Sequence, residues 1–148
     1  MSSIQVRRMN MLDIDGVLAV EQQSFLTPWS RDGFVNEMSN ELAYYLVLVE
    51  DGNIIGYAGM WLIVDEAHVT NVALLPGCRG RRLGEKIMTE LLKHARERGA
   101  VRMTLEVRDS NKVAQGLYAK FGFIPQGRRR NYYTDTKEDA IIMWCEKL

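Results

Sequence analysis

The 148 residues predict a mixed fold of helices and strands, α/β of the α+β kind, with a central sheet of about seven strands and four helices in one domain spanning 1–148. Three observations lead there. Strand-like runs, YYLVLVE and IIGYAGMWLIV, flank Asp51-Gly52-Asn53, a strong hairpin signal. Leu83, Ile87, Leu91 and Ala95 recur at helical spacing between two further strand-like runs. The length suits a single core, and no repeat or linker interrupts the pattern.

Ile4–Met9 alternates weakly and reads as a short strand. Leu12, Val17, Leu18, Val20 and Phe25 follow at roughly helical spacing through about residue 23. Pro28 in SFLTPWS breaks that helix, and Ser30 can cap a second one through Met38. The hairpin strands come next, then an Asp65-Glu66 turn into a fourth strand, His68–Leu75. A long helix is expected from about Arg82 to Arg98, stopped by Gly99. VRMTLEV is a strand, Asp109-Ser110 caps a helix from about Asn111 to Phe121, and Gly122 ends it. Residues 123–133 look extended, TDTKED is a loop, and AIIMWCE is the last strand.

Composition excludes several function classes. Lys+Arg and Asp+Glu both number 19, so no global basic field favours nucleic acid or a membrane surface. The N-terminus lacks the apolar stretch of a signal peptide, and Ile54–Val64 is too short to span a bilayer. Cys78 and Cys145 stand far apart without metal spacing and read as reduced thiols of a cytoplasmic protein. His68 and His94 are unpaired, and no metal site is expected.

One stretch stands out, NVALLPGCRGRRLGEKIM from Asn71 to Met88. An apolar strand meets Pro76-Gly77, and arginines and glycines crowd the handover to a helix. A helix N-terminus presents unpaired N–H groups and partial positive charge, which suits phosphate. The known phosphate loops do not fit: no Lys follows Gly84, and the spacing is not that of a dinucleotide fingerprint. Taken alone, the run is either a basic solvated loop or a local anion site.

The stretch resembles the acetyl-CoA signature of the GNAT acetyltransferase superfamily, Gln/Arg-x-x-Gly-x-Gly/Ala, which lies between the fourth strand and the third helix. It reads Arg79-Gly80-Arg81-Arg82-Leu83-Gly84, with Arg82 in place of the first signature glycine. The order of elements matches through nearly the whole chain. SFLTPWS, LEVRDSNKVAQGLYAKFGF and RRRNYYTDTKEDAIIMW are similar to the bacterial RimI group, which acetylates the N-terminal alanine of a small-subunit ribosomal protein.

The resemblance implies a GNAT fold, acetyl-CoA as cosubstrate, no metal, and a protein N-terminus as partner. It implies that Gly80, Arg81, Arg82, Leu83, Gly84 and Glu85 hold the pyrophosphate, with Arg82 in helical conformation and still offering its N–H. It implies that the pantetheine arm pairs along Val72, Ala73 and Leu74, and that Asn111 contacts the coenzyme. Glu106 becomes the general base and Tyr118 the general acid. Without the resemblance, Glu106 reads as a sheet carboxylate paired with Arg108, and Tyr118 as core packing with its hydroxyl at the rim. Cys78 as a covalent acetyl carrier has no activating neighbour but arginines.

The pKa scale bears on the acceptor. An α-amine near 7.7–8.0 costs about 1–1.4 kcal/mol to deprotonate at pH 7, and a lysine ε-amine near 10.4 costs about 4.6 kcal/mol. A carboxylate base suits the first task better. Leu26, Trp29 and Tyr133 are expected to frame the peptide entrance, with Tyr132 beside them, and Trp29 reads equally well as a core tryptophan. Glu138 and Asp139 are expected to attract a basic residue behind the substrate's N-terminus. Two readings compete: an acetyltransferase of broader N-terminal or small-amine specificity, and a non-catalytic acyl-CoA-binding module.

Overall fold

Successive side chains of the strand Ala43–Glu50 enter two different cores. Tyr44, Leu46 and Leu48 join one, while Tyr45, Val47 and Val49 join the other, and all six are buried. A strand apolar on both faces needs cover on both faces. In the computed structural model, which describes residues 3–148, that cover comes from two pairs of helices.

The chain runs β1 (Ile4–Arg8), α1 (Ile14–Ser24), α2 (Arg31–Met38), β2 (Ala43–Glu50), β3 (Asn53–Ile63), β4 (Glu66–Leu74), α3 (Leu83–Glu97), β5 (Arg102–Arg108), α4 (Lys112–Lys120), β6 (Ile124–Tyr133) and β7 (Glu138–Cys145). All seven strands form one sheet, in the order β1-β2-β3-β4-β5-β7-β6. One face packs on Ile14, Val17 and Val20 of α1 and Phe34 of α2. The other packs on Ile87, Met88, Leu91, Leu92 and Ala95 of α3 and Tyr118 of α4. Each large apolar side chain so buried contributes about 1.5–3 kcal/mol.

Local signals explain most boundaries. Ser30 accepts from Gly33 N–H at 3.0 Å and opens α2, as its sequence position predicts. Asp51 (φ 49°) and Gly52 (φ 86°) make the β2–β3 hairpin. Gly99 (φ 92°) and Gly122 (φ 91°) follow α3 and α4, also as predicted.

Several expectations need correction. Leu12 is not on a buried helical stripe: it is 93% exposed, in a short 3-10 turn before α1. That turn exists because Asn10 and Asp13 form a capping box, and Asp13 also takes a two-pronged bond from Arg7 at 2.8 Å. The cap of α4 is Asn111 itself, accepting from Ala114 N–H at 3.1 Å, rather than Asp109-Ser110. β4 covers Glu66–Leu74 instead of His68–Leu75. The third helix begins at Leu83, with Arg82 outside it.

The pairing of β4 with β5 positions the site. It is the one parallel junction among the described strands, and it holds for only three rungs, Glu66–Arg102, Ala67–Met103 and His68–Thr104. Beyond them the strands part, each still paired on its outer side with β3 or β7.

Candidate active site

The gap left by the parting strands is a cleft of about 620 Å³. Val69–Val72 of β4 form one wall and Leu105–Arg108 of β5 the other, with Asn111 and Tyr118 from α4 and Trp29, Tyr132 and Tyr133 at the mouth. On the β4 wall, the backbone groups that face β5 have lost their partner strand. Such groups seek bonds from whatever enters.

Alternation on β5 falls as expected. Met103, Leu105 and Val107 are buried, and Glu106 lines the cleft. The expected ion pair with Arg108 is absent from Glu106. Its carboxylate lies 3.3 Å from Nε of Arg129 on β6, and Tyr132 hydrogen-bonds it and is thereby held above its ordinary pKa. A bulge explains their reach: Arg129 pairs with Ala140 and Tyr133 with Glu138, so residues 130–132 stand opposite the single residue Asp139. Asn131 takes a left-handed conformation there (φ 52°). The tyrosine rings meet edge to face, with centroids 5.2 Å apart.

Tyr118 is 8% exposed, edge-on to Phe123 at 5.9 Å. Burial pushes its hydroxyl up to about 12. Tyr133 is likewise pushed up to about 12, chiefly by burial, with Arg108 opposing and Glu106 adding to the rise. Arg108 stacks 4.1 Å over the Tyr133 ring, bonds Asp135 at 2.8 Å and lies 3.6 Å from Glu138. It pins the β6–β7 hairpin to the end of β5.

Glu138 and Asp139 are therefore not spare acids awaiting a basic substrate. Glu138 accepts from Ser110 N–H at 2.6 Å, and Asp139 accepts from Asn131 N–H and from Arg128, both at 2.9 Å. Leu26 is 74% exposed, between α1 and α2. Trp29 has both roles the sequence left open: it lines the cleft and packs on Phe34 at 5.3 Å.

The glycine-arginine turn also differs from expectation. Arg82 is not helical; at φ 60° and ψ 21° it adopts the left-handed conformation that favours glycine. Arg81 is tied to Glu50 by two bonds of 3.0 and 2.5 Å, Glu85 to Lys120 at 2.7 Å, and the Leu83 side chain is buried. Those three side chains are committed elsewhere, which leaves the main-chain N–H groups of the turn, with the Arg79 and Arg82 side chains, to meet an anion. Gly80 (φ 81°) has open space where a Cβ would stand. A Cβ on Gly84 would meet Leu117 at 3.1 Å, so that glycine also lets α3 approach α4 closely. Val72, Ala73 and Leu74 pair with Ala58, Tyr57 and Gly56 of β3, leaving their other edge toward the gap.

Sequence reasoning missed Arg129 and Tyr132 as partners of Glu106, and it gave no role to Asn71 or Glu21. Only knowledge that β6 lies outside β7, with a bulge, could have found the first two. No group of three or more potential metal ligands occurs among the described residues.

A sheet split between its fourth and fifth strands, with a helix N-terminus at one end of the gap, is the frame of an acyl-CoA-dependent N-acyltransferase. The chain belongs to the acetyltransferase (GNAT) family, whose model matches residues 14–123. Enzymes of this family use acetyl-CoA. A Bacillus subtilis (strain 168) protein provisionally named ribosomal protein bS18-alanine N-acetyltransferase is 49% identical over 140 residues, 94% of this chain and 93% of that protein. The Haemophilus influenzae ribosomal protein bS18-alanine N-acetyltransferase is 34% identical over 143 residues, 95% of this chain and 97% of that protein. The crystal structure of the Escherichia coli ribosomal-protein-S18-alanine N-acetyltransferase superposes with a TM-score of 0.91 at 31% identity, covering 99% of this chain and 96% of that one.

Proposed function

We propose that this protein transfers an acetyl group from acetyl-CoA to the α-amine of the N-terminal alanine of ribosomal protein bS18, in the cytoplasm, by direct transfer in a ternary complex. The observation that carries the reading is a shared cleft. Glu106 and Tyr118 open onto the same gap in which β4 presents unpaired backbone. The names of relatives that match over nearly their whole lengths supply the substrate.

Acetyl-CoA fits the residues present. Main-chain N–H groups of 80–84 lie at the start of α3 and would receive the pyrophosphate. The free edge of Val72–Leu74 would pair with the pantetheine arm, and a β4 N–H would stabilise the oxyanion. Asn111 has its side-chain oxygen engaged by the cap, so its amide N–H₂ would be the part that contacts coenzyme.

Glu106 takes one proton from the α-ammonium, the nitrogen lone pair attacks the thioester carbon, a C–N bond forms and the C–S bond breaks. Tyr118 donates to the departing sulfur. With its hydroxyl at about 12 and a thiol near 8.5, complete transfer from tyrosine to thiolate is uphill by about 5 kcal/mol. Tyr118 therefore works as a hydrogen-bond donor that spreads charge off the sulfur, and the proton that ends there is drawn from the acidic N–H of the addition intermediate. This changes the simple acid role assigned from the sequence.

The test is acetyl-CoA incubated with peptides that begin Ala-Arg or Phe-Arg and contain an internal lysine, with the added acetyl located by mass. Acetyl should appear on the N-terminus, faster with Ala, and leave lysine unmodified. Acetyl found mainly on lysine or on a polyamine overturns the N-terminal assignment.

A further inference from the structure

Thr70 and Asn71 are consecutive on β4, yet both serve the same face of the sheet, which a regular strand forbids. The hydroxyls of Thr70 and Tyr45 lie 2.8 Å apart. The Asn71 carboxamide hydrogen-bonds the Tyr57 hydroxyl. Both tyrosines belong to the core under α1 and α2. A bulge produces the doubling: Gly59 pairs with Asn71 and Met60 with Val69, leaving Thr70 as the extra residue. Gly59 is required beside it, since a Cβ there would stand 2.1 Å from the Tyr45 ring.

Hydrogen-bond direction then fixes which way the carboxamide points. Glu21, 1% exposed, accepts from Trp29 N–H at 2.9 Å and from the Tyr57 hydroxyl. Tyr57 has given its only proton to Glu21, so its oxygen can do nothing but accept from Asn71. Asn71 must present Nδ2 to Tyr57. Its Oδ1 is left buried without a hydrogen-bond partner. A buried acceptor held in one orientation by a directional chain is an unmet demand for a donor.

Its place on the strand says which donor. The last paired rung joins His68 to Thr104. Two residues further along β5 is Glu106; two residues plus the bulge residue along β4 is Asn71. The two face each other where the strands part, and both line the cleft. An acceptor-only group such as a carboxylate or phosphate has nothing to offer Oδ1. An ammonium has N–H groups for both walls.

We propose that Asn71 Oδ1 receives one N–H of the substrate's α-amine, making Asn71 a substrate-binding residue that selects and orients the amine. Glu106 removes a second proton, and the lone pair so freed is turned toward the thioester carbon by the bond to Asn71. The inference rests on the N-terminal acetyltransferase reading above.

Turnover of an Ala-Arg peptide by the wild type is measured first; its absence sinks that reading and the inference with it. Binding is then compared, in the presence of desulfo-CoA, for the Ala-Arg peptide and for the same peptide with alanine replaced by propionyl, which lacks only the amine. The wild type should prefer the amine. In Asn71→Ala that preference should fall about fivefold or more, a loss of about 1 kcal/mol, while affinity for desulfo-CoA and for the propionyl peptide stays within about twofold. Wild-type turnover with an unchanged preference in Asn71→Ala overturns the Asn71 assignment alone. An equal loss for both peptides does so too, since it makes Asn71 a support for the wall.

Discussion

On the β4–α3 side of the cleft, the groups that would meet the coenzyme belong mainly to the main chain. On the side formed by α1–α2 and the β6–β7 hairpin, they are side chains held by other side chains: Glu106 by Arg129 and Tyr132, and Tyr133 by Arg108. A main-chain site tolerates substitution where the backbone conformation survives, which accounts for an arginine at a left-handed position. A side-chain site fails when any tether is cut. On the function proposed above, the first kind would serve the acyl-CoA and the second would tell one acceptor from another.

The sharpest test of that contrast is Glu106→Gln. Loss of the base should lower kcat/KM about 10²–10⁴-fold at pH 7 and leave acetyl-CoA affinity unchanged. The deficit should shrink as pH rises and free amine accumulates. A rate unchanged at pH 7 would remove Glu106 from the chemistry. Tyr118→Phe should cost about 10²-fold in kcat, the lower end of proton-donor effects, because a hydroxyl at about 12 serves by hydrogen bonding. Its melting temperature should barely move, since the ring contact with Phe123 survives. A large drop in melting temperature would instead make Tyr118 a packing residue.

Asp139→Ala cuts the tether of the bulge. Peptide KM should rise a few-fold with acetyl-CoA affinity intact; a rise in both would erase the distinction between the two sides. The Asn131 N–H, followed by Arg128, holds the Asp139 carboxyl below its ordinary value of 3.8. A lowered folded pKa means the tether is at full strength at neutral pH and is lost only as pH falls through that lower value. The Asn131 amide resonance in the wild type should therefore stay put from pH 8 to about 5 and move only in stronger acid. Arg82→Gly should have the smallest effect. Relief of the left-handed strain and the added freedom of the unfolded chain nearly offset, within about 1 kcal/mol. Acetyl-CoA affinity should hold within about threefold, and a tenfold loss would give the guanidinium a phosphate contact of its own.

The same contrast separates what could be read in the sequence from what could not. The proposed coenzyme side is local: the strand, the glycines and the first turn of α3 are contiguous, so a signature of six residues can point to it. The seven strands, four helices and the facing of Glu106 also follow from period and turn chemistry. The proposed peptide side is assembled from α1–α2, β5 and the β6–β7 hairpin, segments distant in the chain. Whether Glu106 meets Arg108 or Arg129 depends on β6 lying outside β7 and on a bulge that no local pattern announces. Glu138 and Asp139 look like free surface acids in a polar run, and only pairing shows them to be spent. Arg82 was misread because helical periodicity continues through it while its backbone does not.

The three-rung seam between β4 and β5 also bears on how the molecule avoids its own kind. The gap leaves two half-strands with unsatisfied edges, and exposed edges invite a strand from another copy, which leads to aggregation. Here the two edges face one another inside a single sheet, roofed by helices on both faces. A neighbouring chain meets only the outer strands, while a slender extended ligand can enter between them. Receptivity and self-avoidance come from the same split.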